Sequence, residues 1–409
     1  MTLHPADHLR SAPRSFVAAM LTTEARLMTM DISFTQAQVD AAKGVLAQLD
    51  GAELAFLGGS LAVGLGHAMS DIDLYVVGDG LPDRELTYQH DGTWVHVNPL
   101  PAGKVAELVA LATGYRATGM DRSQLAADVK TLNALVRLVT GWRVLASPEW
   151  VARLEMLSRD TVRKILAARH ANVFAAYAED ACGALRSGDL FTAATASQLA
   201  LDAACEATLA AAGDLYLGPK FLFRRLARTP ATAPWRDHLW RLTHRDLDSD
   251  GAIRTAVDER LRAGSQLLAW CAVDGWDQPL ASLPALRQAG SQGPRRSGYF
   301  APIRFVDGWA MIGPEDGYEV SEQIVRLWRR LDGDPLPDLY AALPGAEPQL
   351  AGYSAGEIDT ALATLSELGA VEDHQASGVG QPSDTLIARE SPRFSCHPKV
   401  APAGAGQPC

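Results

Sequence analysis

Residues 57–77 read LGGSLAVGLGHAMSDIDLYVV. Asp71 and Asp73 flank a single isoleucine, and Gly58, Gly59 and Ser60 precede them. In a strand, residues i and i+2 project to the same face. The two carboxylates therefore stand side by side while Ile72 turns into the core. Adjacent anions repel unless a cation sits between them, so a divalent metal is their natural partner. Oxygen ligands beside a phosphate suit Mg²⁺. Glycine has no Cβ, so backbone amides of the turn can approach a phosphate closely, and Ser60 adds a hydroxyl donor. Taken singly, an Asp-x-Asp pair also marks an ordinary surface strand end, and Gly-Gly-Ser an ordinary turn.

The full order is an apolar strand, Gly-Gly-Ser, a spacer, then Asp-Ile-Asp opening a second apolar strand. It resembles the signature of the nucleotidyltransferase superfamily typified by DNA polymerase β and the aminoglycoside nucleotidyltransferases. The resemblance implies an α/β catalytic domain and transfer of NMP from an NTP, with ATP the expected nucleotide. It implies Mg²⁺ or Mn²⁺ held by Asp71 and Asp73, with Gly58, Gly59 and Ser60 on the outer phosphates.

In small members an alanine-rich helical bundle follows the catalytic domain. LALDAACEATLAAAGDLYLGPKFLFRRL is similar to its G-x-x-Y-x-x-x-K region. By that likeness Lys220 reaches the triphosphate, with Arg224 or Arg225 as helper; a solvated loop lysine is the other reading.

The superfamily usually takes a third carboxylate from the next strand. In TWVHVNPL that position is His96. A neutral imidazole can bind metal or accept a proton but brings no negative charge. A partly buried strand histidine is the plainer reading. Glu179, Asp180 or His67 are alternative bases. Alternation in TWVHVN puts Trp94, His96 and Asn98 on one face and Val95 and Val97 on the other. If the valines fill the core, His96 faces the carboxylates.

These residues need a frame. FTQAQVDAAKGVLAQLD has helical apolar spacing, with Thr35 as cap. AELAFLGG, DIDLYVVG and GTWVHVNPL read as strands. From about Asp121 the pattern becomes helical. DRSQLAADVKTLNALVRLVTG, RDTVRKILAARHANVFAAYAEDACGALRSG and LFTAATASQLALDAACEATLAAAG each end in glycine, as helices commonly do, and a helical bundle fits them. LRQAGSQGPRRSG reads as a linker.

After it, YFAPIRFVDGWAMIGPEDGYEV looks like two strands around an Asp-Gly turn, and SEQIVRLWRRLDG and SAGEIDTALATLSELGAVE like amphipathic helices. This stretch is similar to PqqD-like winged-helix domains, on the residues IVRLWRRLDG and LATLSELGAV. The likeness implies recruitment of a ribosomally made peptide, added as a strand at an open edge. Ile324, Leu327, Trp328 and Leu331 would be the seat. A DNA-binding or structural wing shares the same apolar pattern, with Arg326, Arg329 and Arg330 as its basic face.

The expected organisation is an α/β catalytic domain, then a helical bundle, then a small winged-helix α+β domain. The ranges are an N-terminal extension at 1–33 with one short helix, the nucleotidyltransferase domain at 34–120, and the bundle at 121–285. A linker at 286–298, the winged-helix domain at 299–373 and a disordered tail at 374–409 follow.

The chain has 409 residues, 47% hydrophobic and 21% charged, with net charge −11, enough for two or three domains. It lacks the basic face that duplex nucleic acid requires. No apolar run is long enough to span a bilayer. Five cysteines without a CxxC pair point to a reducing compartment, so the cytoplasm is expected. The expected activity is a Mg²⁺-dependent nucleotidyltransferase, acting on a peptide acceptor in natural-product biosynthesis. A small-molecule, aminoglycoside-like acceptor is the alternative, as is a non-catalytic nucleotide-binding subunit. A homodimer is compatible with either.

Overall fold

Thr35 starts the first helix by a reciprocal exchange. The Gln38 amide donates to Thr35 Oγ1 at 3.3 Å, and the Thr35 amide donates to Gln38 Oε1 at 2.9 Å. This capping box satisfies two amides the helix cannot. The computed structural model describes residues 34–67, 70–81, 84–286, 290, 292–372 and 389–390. The helix expected before residue 33 and most of the expected tail lie outside these residues. The fold is mixed α/β, and the chain divides into two units: residues 1–113 with 130–158, and residues 114–129 with 159–409.

The first unit is built on a five-stranded mixed sheet. Its elements are α1 (Gln36–Leu46), β1 (Ala52–Gly58), α2 (Gly59–Ala62), β2 (Ile72–Gly78), β3 (Leu86–His90), β4 (Thr93–Pro99), α3 (Ala102–Ala112), α4 (Val129–Thr140), β5 (Trp142–Ala146) and α5 (Pro148–Glu155). The strand order is β3-β4-β2-β1-β5. Only β2 and β4 run parallel; the other neighbours are antiparallel. Ile72, Leu74, Val76, Val95 and Val97 turn to one face and form a core with Val39, Ala42 and Val45 of α1. Period-2 burial on strands thus meets period-3.6 burial on a helix. The opposite face is left to Asp73, Tyr75 and His96.

Two strands of this sheet were not expected. β3 pairs with β4 through a two-residue turn at Asp91 and Gly92, both with positive φ, the backbone that Asp-Gly hairpins adopt. β5 pairs with β1, although it lies in sequence expected to join the bundle. The helix expected from Asp121 begins at Val129. Before it, the Asp121 carboxylate accepts from the Ser123 amide at 2.9 Å and Thr118 Oγ1 accepts from the Asp121 amide at 2.8 Å. Such local side-chain bonds compete with helix formation.

In the second unit, α6 (Arg159–Ser187), α7 (Leu190–Ala211) and α10 (Asp250–Val273) are the long helices, with α8 (Leu222–Arg228) and α9 (Arg236–Thr243) between them. Among the described residues no helix is long and apolar enough to cross a membrane.

A second sheet holds β7 (Ala301–Phe305), β8 (Gly308–Ile312), β9 (Gly317–Val320) and β11 (Arg389–Glu390), two strands more than expected, the last within the segment expected to be a disordered tail. The helices α11 (Glu322–Trp328), α12 (Leu336–Ala346) and α13 (Ala355–Glu367) follow β9. Ala269, Ala272 and Val273 of α10 share a core with Phe300, Trp309, Ile324 and Trp328. Three residues of α10 thus join a core whose other members lie between Phe300 and Val371. Within the expected linker, β6 (Arg295–Arg296) pairs with β10 (Val371–Glu372). Arg296 is buried there, with one guanidinium nitrogen donating to the Arg329 carbonyl at 2.6 Å.

Arg326, Arg329 and Arg330 do not form a basic face. All three guanidinium groups converge on Glu347, at 3.3, 2.5 and 2.6 Å. Burial pushes the Glu347 carboxyl upward, but hydrogen bonds and charge from Arg329 and Arg330 outweigh it and hold the group below its ordinary range. A buried carboxylate needs such partners, so these arginines serve the interior.

Candidate active site

One row of residues crosses four strands of the first sheet. Gly58 at the end of β1 pairs with Asp73 on β2. Asp73 pairs with His96 on β4, and His96 with Thr87 on β3. The expected turn, carboxylate and imidazole therefore meet because the register aligns them, with no long loop involved.

Gly59 follows Gly58 with φ +77°, a backbone that side chains rarely adopt. A Cβ on Gly59 would lie 2.2 Å from Asp73 Oδ2. The turn backbone is thus packed directly against the carboxylate. Gly58 is equally confined: a Cβ there would lie 2.8 Å from the Tyr75 ring. Ser60 is half-buried at the same turn.

Asp71 precedes β2 and is largely exposed. Its Oδ1 lies 3.6 Å from His96 Nε2. The other imidazole nitrogen, Nδ1, is 3.1 Å from Thr87 Oγ1. His96 is thus positioned by Thr87 at Nδ1, and its half-exposed ring turns Nε2 toward Asp71, the face that the alternation in TWVHVN predicts. His67 lies in the turn before the pair, where its amide donates to Ser70 Oγ at 2.9 Å.

Burial raises the Asp73 carboxyl above its ordinary value. Arg137 and then His96 oppose the shift, while Asp71 and Glu85 add to it. Asp73 is therefore a partly desolvated carboxylate among other acids. A divalent cation would relieve this strain. Among the described residues no three His, Cys, Asp or Glu side chains form a metal-ligand group. Two carboxylates nevertheless fit Mg²⁺ or Mn²⁺, because Mg²⁺ commonly takes one or two carboxylates and completes its shell with phosphate oxygens and water.

Three residues of this site were not anticipated. Arg137 of α4 stands with its guanidinium carbon 5.6 Å from the centre of the Tyr75 ring, and its Cβ is 3.6 Å from where a Gly58 Cβ would be. Its signal was a lone cation in the apolar run LNALVRLVTG. Thr87 and Glu85 come from the edge strand β3 and the residue before it, which were not recognised as part of the sheet.

No protein-family model matches the chain, and no curated protein matches it. A solved nucleotidyltransferase-like protein from Exiguobacterium sibiricum 255-15 is similar over 59% of this chain and 81% of its own, at 11% identity and a TM-score of 0.32. At that level the likeness assigns neither an activity nor a residue.

The remaining expected residues lie in the second unit. Lys220 and Arg224 are exposed and stack over Phe221, with centroid distances of 5.0 and 5.6 Å. Glu179 and Asp180 lie on α6. Arg225 is not a free helper. It is fully buried and bonds Glu206 at 2.8 Å and Asp214 at 2.9 Å. Its charge is committed to holding the helices together.

Proposed function

We propose that the chain is a Mg²⁺- or Mn²⁺-dependent nucleotidyltransferase that moves NMP from an NTP to an acceptor and releases pyrophosphate. The observation that carries this reading is the Gly58–Asp73–His96 row, with the Gly59 backbone packed on the Asp73 carboxylate. Asp71 and Asp73 hold the metal, which when bound neutralises phosphate charge and aligns the leaving group. Gly59 and Ser60 present backbone and hydroxyl donors to the outer phosphates. Arg137 supplies a fixed positive charge beside them.

The acceptor oxygen bonds to the α-phosphorus, the α–β bridging bond breaks, and pyrophosphate leaves. His96 takes the acceptor's proton at Nε2 while Nδ1–H donates to Thr87 Oγ1. A peptide acceptor recruited through residues 299–372 is favoured over an aminoglycoside-like small molecule by the winged-helix sequence pattern. His96 in place of a third carboxylate favours a second reading, a subunit that binds nucleotide without turnover. Incubation with each NTP and Mg²⁺, read by intact mass of candidate acceptors, separates the two. An NMP adduct supports transfer; Mg²⁺-dependent NTP binding with no adduct on any acceptor supports the second reading.

A further inference from the structure

A cavity of about 330 Å³ opens in the second unit, lined by Tyr115, Lys164, Trp276, Arg304, Phe305 and Trp309 among others. Its volume lies at the small end of the range for ligand pockets.

The walls are fixed from behind. Arg163 of α6 is buried, and its guanidinium donates to the Gly275 carbonyl and, at 2.5 Å, to the Trp276 carbonyl. That clamp sets the loop after α10 that carries Trp276. The Tyr115 ring meets the Trp276 ring edge-on, with centroids 5.0 Å apart. The Tyr115 hydroxyl donates to the Arg304 carbonyl at 3.0 Å. Burial, and Asp307 after it, pushes that hydroxyl above its ordinary range, so it stays a donor at neutral pH. The Val306 amide donates to the Ala117 carbonyl at 3.0 Å. A cavity held in this way has little freedom to lose on binding.

Two cations line it. The Arg304 guanidinium lies over Trp276 at 5.8 Å and over Trp309 at 5.0 Å, and Lys164 Nζ lies over Trp276 at 5.9 Å. A guanidinium stacked on an indole can still present its N–H edge to an oxyanion. Among the described residues the Arg304 guanidinium pairs with Asp277 alone, at 3.0 Å, and the Lys164 ammonium with Asp160 alone, at 2.8 Å. Both keep further donors. They are also the less exposed partners. The Lys164 and Arg304 side chains are 20% and 24% exposed, against 48% for Asp160 and 70% for Asp277. Water therefore screens the carboxylates more than the cations. Arg163 shares Asp160, so three cations stand against two carboxylates. Nearby, Arg122 and Asp307 both bond Gly119 and offset each other. One positive charge is left over among aromatic walls.

We propose that this cavity binds a small aromatic monocarboxylate, with the carboxylate on Arg304 and Lys164 and the ring among the aromatic walls. The single excess charge matches a monoanion better than a phosphate dianion, and flat walls favour a ring. No residue of this cavity enters the nucleotidyl-transfer reading, and either can fail without the other.

The test titrates the full chain, without nucleotide, with benzoate, benzamide and phenyl phosphate by calorimetry. Benzoate should bind saturably at one site. Benzamide keeps the shape and loses the charge, and should bind about tenfold more weakly, the worth of a charge-assisted hydrogen bond. Phenyl phosphate should also bind more weakly than benzoate. K164Q and R304Q should each weaken benzoate by about tenfold. R304K keeps the charge, loses the planar edge, and should weaken it as well. R186Q removes an exposed cation that pairs with Glu315 outside the cavity and should bind benzoate like the parent chain. No saturable binding of benzoate, or equal binding of benzamide, would overturn the proposal. Tighter binding of phenyl phosphate would make the ligand a phosphate and overturn the carboxylate class. Undiminished benzoate binding in both K164Q and R304Q would put the ligand elsewhere and overturn the site.

Discussion

The Asp73 carboxylate occupies the space that any side chain on Gly59 would need, 2.2 Å from the position of its Cβ. Turn and carboxylate are therefore one unit. Gly59→Ala should force the Asp73 side chain to rotate away. It should also place alanine at φ +77°, at a cost of about 1–2 kcal/mol. Denaturant unfolding should register that modest loss. NTP turnover should fall much further, by about a hundredfold or more, as expected when a preorganised charge is misplaced. Equal activity in Gly59→Ala would mean that the Asp73 geometry is not used.

Asp73→Asn and Asp71→Asn should abolish transfer and leave the fold intact, because each keeps its shape and loses one metal-binding charge. The loss expected is about 10²–10³-fold or more in kcat/KM. Burial raises Asp73 in the folded state above its unfolded value of 3.8. The folded chain thus binds this proton more tightly than the unfolded chain, and stability falls as pH rises from 3.8 through the folded value. Asp73→Asn should therefore gain stability at neutral pH, and the gain should vanish in acid. At limiting Mg²⁺ the acid limb of the kcat/KM profile should be displaced upward from the ordinary aspartate position. Melting curves and rate profiles across pH check both.

His96 is held by Thr87 at Nδ1 and faces Asp71 with Nε2. His96→Ala should lower turnover by about 10²–10⁴-fold, the range for a positioned acid–base group, with little change in melting temperature. Thr87→Val removes only the Nδ1 partner. It should lower kcat several-fold with KM for NTP unchanged. A greater rate in His96→Asp would mark the natural site as a weakened catalyst.

Arg225 and Arg224 are adjacent in sequence and should behave in opposite ways. Arg225→Ala leaves Glu206 buried without its partner and should cost about 3–5 kcal/mol of stability. Arg224→Ala and Lys220→Ala should leave melting temperature unchanged. If either side chain serves the triphosphate, KM for NTP rises several-fold in that variant. Titration calorimetry with a non-hydrolysable NTP reads the same effect without an acceptor.

The Gly58–Asp73–His96 row was legible because its signals are local. Glycine punctuation, a period-2 apolar pattern and two carboxylates separated by one residue all point the same way. β3 escaped because ELTYQH is an edge strand whose polar residues weaken the alternation, although His90-Asp91-Gly92-Thr93 carries a hairpin signal. β5 escaped because WRVLA follows a helix and precedes another, and its place beside β1 is set by tertiary pairing alone. Arg137 was hidden for a related reason: only the approach of α4 to Gly58 and Tyr75 makes it part of the site. The arginines of RLWRRLDG looked solvated, and a single glutamate, Glu347, 17 to 21 residues away, turned them inward. Spacing locates a charge on a helix but not its partner across a core.

The central claim is that the chain cleaves an NTP between the α- and β-phosphates with Asp71 and Asp73. Phosphorus NMR of NTP incubated with protein, Mg²⁺ and an acceptor mixture identifies the broken bond directly. The account predicts pyrophosphate together with an NMP adduct, both lost in D71N/D73N and on chelation of Mg²⁺. Release of inorganic phosphate and NDP, or pyrophosphate that persists in D71N/D73N, would contradict it.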